Sequence, residues 1–251
     1  MKPRIVKVKI AIPEPCSTDP AYSKRALPPY VGAVESCGGE AVVIPLSLAP
    51  EEIARRITAC SGVLLPGSKA DVDPQKYGAR QHPKTTAADP LRDAADELLL
   101  QDAYNMRKPV FGICYGLQSL NVWRTGSLVQ DIESPIKHSA PREARIAHQV
   151  RIEPDSLLAR ALHATSGEST FPVNSSHHQA ASTVGDGLVA VAHCPEDGIV
   201  EALEGTLPDH YVLAVQWHPE RTIDSDVPSR LLFQSFVEAA AQWTRPARNG
   251  P

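Results

Sequence analysis

The chain has no long hydrophobic run. Its longest apolar stretches, such as residues 41–46 and 62–65, span only a few positions. A membrane-spanning helix needs roughly 20, so no membrane segment is expected. The N-terminal MKPRIVKVKIAIPEP alternates charged and apolar residues and lacks the continuous apolar core of a secretory signal. Together these absences make a cytoplasmic protein the expectation. There is no basic stripe either, and the formal net charge is −4. That excludes the usual electrostatic footprint of a nucleic-acid binder and favours a small-molecule substrate. The five cysteines, Cys16, Cys37, Cys60, Cys114 and Cys194, form no CxxC pair. An odd count at irregular spacing argues against a disulfide framework or a zinc knuckle. Internal repeats and low-complexity tracts are absent too.

What is present reads as one globular domain over residues 1–251, with a frayed tail at about 244–251. Apolar residues make up 42% and charged residues 22% of the 251, ordinary for a globular chain. Strand patterns at 5–12, 41–45, 62–65 and 109–113 alternate with helical ones at 21–37, 50–59, 91–108 and 115–124. Polar residues 69–90 form a surface loop between them. In the second half, strands are expected at 149–152, 188–192, 199–203 and 212–216, and a closing amphipathic helix at 229–243. This alternation predicts an α/β fold with a mostly parallel open sheet and helices on both faces.

The strongest local signal is Phe111-Gly112-Ile113-Cys114-Tyr115-Gly116. A G-x-C-x-G run between an apolar strand and a helix has the form of a nucleophile elbow, a sharp turn that pushes one side chain out at the sheet edge. Gly112 and Gly116 let strand and helix approach closely. The helix N-terminus favours thiolate at Cys114 and directs free amides, that of Tyr115 among them, at a developing oxyanion. A lone cysteine is more often a buried core residue; the flanking glycines reverse that preference here, and the other four cysteines have no such setting.

A thiol nucleophile needs a base, and the base needs an orienting group. Among nine histidines, His218 stands apart because the apolar strand 212–216 delivers it at a carboxyl end, the edge where open α/β sheets gather their chemistry. Glu220 follows two residues on, across the rigid Pro219. The adjacent pair His177-His178 invites a metal reading. Neighbours on a strand point to opposite faces, and no HxxxH spacing or acidic cluster accompanies them, so no metal is expected. Asp71 and Asp73 lack the later ligands of an EF-hand, and Gly67-Ser68-Lys69 lacks the rest of a phosphate loop.

Residues 112–118 (GICYGLQ) with 216–220 (QWHPE) resemble the triad signature of class I glutamine amidotransferases. Residues 65–78 (LPGSKADVDPQKYG), 121–132 (NVWRTGSLVQDI), 173–179 (VNSSHHQ) and 197–201 (DGIVE) resemble its γ-glutamyl-γ-aminobutyrate hydrolase branch. The resemblance runs from about residue 5 to residue 240. It implies a flavodoxin-like, three-layer α/β sandwich and a γ-glutamyl hydrolase that needs no cofactor. It implies Cys114 as nucleophile, His218 as proton shuttle and Glu220 as orienter. It places backbone at Gly67 and Ser68 with the Tyr115 amide in the oxyanion hole, Gln118 on the glutamyl portion, and Ser176, His177 and His178 around the same pocket. Tyr115 and the Thr125-Gly126 pair depart from the branch, which often has arginine and usually a glycine pair there. The expected partner is a small γ-glutamyl substrate, in a route such as polyamine catabolism, with a homodimer as one option. The same triad fits a glutamine amidotransferase subunit that supplies ammonia to a separate synthase. A non-catalytic binding protein on this fold is a third reading, disfavoured by the intact triad residues.

Overall fold

A computed structural model describes residues 7–164 and 169–245. The sequence elements follow one another as expected through the first half. Strand β1 (Lys9–Pro13) leads to α1 (Pro20–Ser36), then β2 (Glu40–Ile44), α2 (Pro50–Thr58), β3 (Gly62–Leu65), α3 (Pro90–Met106), β4 (Val110–Ile113) and α4 (Tyr115–Trp123). The short β5 (Leu128–Val129) precedes β6 (His148–Ile152), α5 (Leu157–Ala161), β7 (Ser169–Val173) and the equally short β8 (Ala180–Ala181). Strands β9 (Leu188–His193), β10 (Val200–Gly205) and β11 (Val212–Val215), and helix α6 (Val227–Gln242), complete the chain. The start of the expected first strand and most of the expected frayed tail lie outside the described residues.

The main sheet has the order β2-β1-β3-β4-β11-β10-β9-β6-β7. Its first five strands are parallel, in the neighbour order of a flavodoxin-like core. The remaining four are antiparallel, because turns rather than crossover helices join most of the second half. Single-residue alternation splits the core between two faces. Ile10, Ile12, Phe111 and Ile113 face α1 and α6, where Tyr30, Val34, Phe233 and Phe236 pack. Ala11, Val63, Leu65 and Val110 face α2, α3 and α4 through Ile53, Ile57, Leu99 and Leu117. This is the period-2 signature of strands buried on both sides. Among the described residues, no helix is long and apolar enough to cross a membrane.

Two local expectations are refined. Pro28 and Pro29 lie inside α1 without ending it, and the helix begins at Pro20, capped by Asp19, whose carboxylate accepts from the Tyr22 amide at 2.9 Å. The loop at 69–90 is not simply surface. It contains a 3₁₀ turn at Pro74–Tyr77 and buries Asp71, Val72 and Asp89. Asp89 caps α3 and accepts from both the amide (2.5 Å) and the hydroxyl (2.6 Å) of Ser17, joining the loop after β1 to the loop after β3.

Candidate active site

Strand β4 ends at Ile113, and the backbone turns at once into α4. Cys114 sits at the turn with φ 55° and ψ −107°. A non-glycine residue in this conformation is strained, and such strain concentrates at sites where the surroundings hold a reactive group in place. The Cys114 amide is tied to the Val215 carbonyl at 2.8 Å. Both glycines are sterically required. A Cβ at Gly116 would lie 2.2 Å from the Leu65 carbonyl oxygen, and one at Gly112 would lie 2.9 Å from the Gly116 oxygen.

The parallel register brings the histidine to the cysteine. Ile113 is the register partner of Val215, so Cys114 and the segment just past β11 leave the sheet side by side. Pro219 opens a short 3₁₀ turn over Pro219–Arg221 and folds Glu220 back, placing its Oε1 2.9 Å from His218 Nδ1. The His218 side chain is 5% exposed and that of Glu220 2%. Gly67 closes the third side: a Cβ there would lie 3.1 Å from His218 Cε1 and 3.6 Å from Cys114 Cβ. Only a glycine leaves that space open.

Burial opposes ionisation of both catalytic candidates. It pushes the Cys114 thiol up to about 12, with Arg221 opposing and Glu220 reinforcing the shift. Burial also lowers the His218 pKa, against the pull of Glu220. Burial thus opposes the charge that the helix N-terminus favours on Cys114.

The other expected site residues divide. The Tyr115 side chain is buried beneath the elbow, its hydroxyl donating to Asp93 at 2.6 Å and its ring 4.8 Å from the Arg92 guanidinium. It faces inward, away from where a substrate would meet Cys114, so replacing the branch's arginine leaves no tyrosine ring at the nucleophile. The Gly67 amide, expected with Ser68 near the oxyanion hole, donates to Tyr30 Oη at 3.1 Å. Gln118 is buried and its Nε2 donates to the Gln179 carbonyl (3.1 Å) and Gln216 Oε1 (3.3 Å). Ser176 donates to the Ala140 carbonyl at 2.9 Å. The two histidines part company, although they lie in the loop between β7 and β8 rather than on the strand expected. His178 reaches Asp71 at 3.2 Å, a carboxylate whose charge is felt at Cys114, whereas His177 turns into the interior toward Glu201.

Two residues with supporting roles carried no assignment from sequence. Asn174 brackets the backbone of His218: its Nδ2 donates to the His218 carbonyl at 2.8 Å, and its Oδ1 accepts from the His218 amide at 2.9 Å. Arg92 is fully buried, paired with Asp96 at 2.7 Å, and donates to the carbonyls of Pro15 (3.0 Å) and Pro66 (2.7 Å). One guanidinium thus joins the loops after β1 and β3 beneath the elbow. Asn174 lies within a motif-like segment, which was its only signal; Arg92 sat unmarked in an ordinary helical pattern.

The chain resembles known proteins over most of its length. The peptidase C26 family pattern matches residues 11–220. The protein NtpR of Enterococcus hirae is 36% identical over 83% of this chain and 87% of its own length. The γ-glutamyl-γ-aminobutyrate hydrolase PuuD of Escherichia coli (strain K12) is 34% identical over 84% of each chain. Among solved structures, a putative GMP synthase component from Thermoplasma acidophilum superposes with a TM-score of 0.62 over 94% of this chain and 96% of its own, at 15% identity, a likeness of fold alone. On the match across 11–220 and the relatives above 30% identity, the chain belongs to the peptidase C26 family and has the class I glutamine amidotransferase-like fold.

Proposed function

We propose that the protein is a cysteine hydrolase that cleaves the γ-amide bond of a γ-glutamyl amine through a γ-glutamyl thioester. The observation that carries the reading is Cys114 on a strained elbow beside His218, whose Nδ1 is held by Glu220 at 2.9 Å. With Nδ1 engaged, Nε2 is the base. It takes the Cys114 thiol proton as sulfur bonds to the γ-carbonyl carbon, and Glu220 stabilises the imidazolium that forms. The Tyr115 and Ser68 amides receive the oxyanion. Collapse breaks the C–N bond, and the imidazolium protonates the departing amine. Water then gives a proton to His218 and its oxygen to the acyl carbon, releasing glutamate and restoring the thiol.

Both hydrogens of the Gln118 amide are engaged on protein acceptors, so only its Oε1 remains to accept from the substrate's α-ammonium. The E. coli relative's name supplies γ-glutamyl-γ-aminobutyrate as the first substrate to try. Purified protein is assayed alone on a panel of γ-glutamyl amides that includes this compound and glutamine. Release of amine, with an acyl-enzyme trapped on Cys114 by acid quench, is the expected result. Turnover of none of the panel, together with a Cys114 inert to iodoacetamide, would falsify the reading.

A further inference from the structure

Away from the triad, four buried side chains converge. His138 comes from the loop between β5 and β6, His148 opens β6, His177 lies between β7 and β8, and Glu201 is on β10. Their side chains are 2%, 2%, 1% and 0% exposed. One atom from each, a ring nitrogen or a carboxylate oxygen, lies within 4.8 Å of all the others. Glu201 Oε1 is 3.1 Å from His138 Nδ1, 3.4 Å from His148 Nε2 and 3.6 Å from His177 Nε2. None of these contacts has hydrogen-bond geometry: the three nitrogens and both Glu201 oxygens are buried without a hydrogen-bond partner. Native interiors rarely leave one such atom unanswered, and here five share one spot.

The outer nitrogen of each ring explains the inner one. His138 Nε2 meets Asp197 Oδ2 at 2.8 Å, His148 Nδ1 meets the Gln149 carbonyl at 3.0 Å, and His177 Nδ1 meets the Gln179 carbonyl at 2.9 Å. Every outer partner is an acceptor, so the ring protons sit outward. Three inner lone pairs facing a carboxylate repel it unless a proton or a metal cation lies between. Carbonyl or carboxylate partners on the far nitrogen are also how proteins orient metal-binding imidazoles.

We propose that His138, His148, His177 and Glu201 bind a divalent transition-metal ion, Zn²⁺ by donor chemistry, in a closed structural site. Zn²⁺ bonds of about 2.0–2.1 Å set tetrahedral edges near 3.3 Å, and the three contacts to Glu201 Oε1 bracket that length. Three neutral imidazoles and one carboxylate suit Zn²⁺ better than Ca²⁺ or Mg²⁺, which take oxygen ligands. The ion's two charges are balanced by Glu201 and by Asp197 behind His138. Four protein ligands leave no position for water, so the site is structural rather than a second catalytic centre. Its place gives it a task. His177 is three residues from Asn174, the clamp on the His218 backbone, and the Glu201 carbonyl accepts from the Gln216 amide at 2.8 Å. The ion would pin the segment that holds the catalytic histidine to the antiparallel half of the sheet.

The test is metal content by inductively coupled plasma mass spectrometry on the full chain, produced with added Zn²⁺ and desalted. Close to one Zn²⁺ per chain is expected, and at most about a tenth of that in His148→Gln and Glu201→Gln. Stripping the wild type with dipicolinate should lower its thermal midpoint, and Co²⁺ added to the stripped protein should give the strong visible bands of a tetrahedral site. These two readouts hold even if the variants fail to fold. Metal-free wild type that also takes up neither Zn²⁺ nor Co²⁺, or variants that retain full metal, would overturn the proposal.

Discussion

The parallel strands β2-β1-β3-β4-β11 and the antiparallel strands β10-β9-β6-β7 handle buried polarity in different ways. In the parallel half the buried cation Arg92 meets Asp96 and two carbonyls, so its guanidinium is answered by protein alone. In the antiparallel half, the inner nitrogens of His138, His148 and His177 face Glu201 without a hydrogen bond to it. The parallel half delivers Cys114 and His218 from adjacent strand ends. The antiparallel half supplies Asn174, which steadies that histidine from across the boundary. A buried charge stabilises a fold only when its partners are in place, and the two halves find those partners by different means.

The comparison breaks first at the nucleophile. Cys114→Ala should reduce kcat/KM by about 10⁴-fold or more, as loss of a triad nucleophile does, while the thermal midpoint stays within a few degrees as a rough expectation. Steady-state kinetics and calorimetry on the same preparation check both parts. A variant that retains activity would move the chemistry out of the parallel half.

Next is the orienter. Glu220→Gln should cut kcat by roughly 10³–10⁴-fold. It should also move the acid limb of kcat/KM. Burial holds the His218 pKa below the ordinary 6.5, and Glu220 opposes that depression by favouring imidazolium. The base is active when neutral, so wild-type activity falls only as pH drops through a value under 6.5. Without the carboxylate, imidazolium is less favoured and the limb shifts to still lower pH. A limb moving upward in the pH–rate profile would contradict this assignment.

The way the parallel half answers a buried charge is tested at Arg92. Arg92→Met leaves Asp96 buried without its partner and should cost about 3–5 kcal/mol in urea unfolding. Adding Asp96→Leu should return part of that loss, because an apolar pair of similar volume avoids the desolvation of both charges. Across the boundary, Asn174→Ala removes two hydrogen bonds to the His218 backbone. A decrease in kcat of about 10–100-fold with little change in KM is expected, since misplacing a catalytic group costs rate rather than binding. An unchanged kcat would show that the antiparallel half does not steady the histidine.

The smallest effect is at Thr125, where φ is 71°. A β-branched residue in the left-handed region is strained, and this is one of the positions where the branch usually has glycine. Thr125→Gly should stabilise the protein by roughly 0.5–1 kcal/mol, read as a raised urea midpoint with unchanged kinetics.

The elbow was legible because its cause is local. Gly112 and Gly116 answer close contacts with residues adjacent in the turn or on the neighbouring strand, and the strand-to-helix change shows in periodicity. The same holds for His218, delivered by an apolar strand, and for Glu220 across a single proline. The surroundings of His177 and His178 were not legible because each ring's partner is remote: Asp71 lies 107 positions from His178, and no short spacing ties His177 to His138, His148 and Glu201. The direction of the Tyr115 ring and the engagement of the Gly67 amide were equally hidden, for Asp93 and Tyr30 reach them only through packing.

By itself the sequence determined the alternation of strands and helices, the parallel core, and the strand ends that carry Cys114, His218 and Glu220. These follow from side-chain periodicity and from steric limits on neighbouring backbone. Only the tertiary structure decided the burial of the Cys114 thiol, the bridging by Arg92, the clamp at Asn174 and the buried cluster around Glu201. Each depends on which distant side chains share one dry space, and chain-local chemistry cannot encode that before the sheet is assembled.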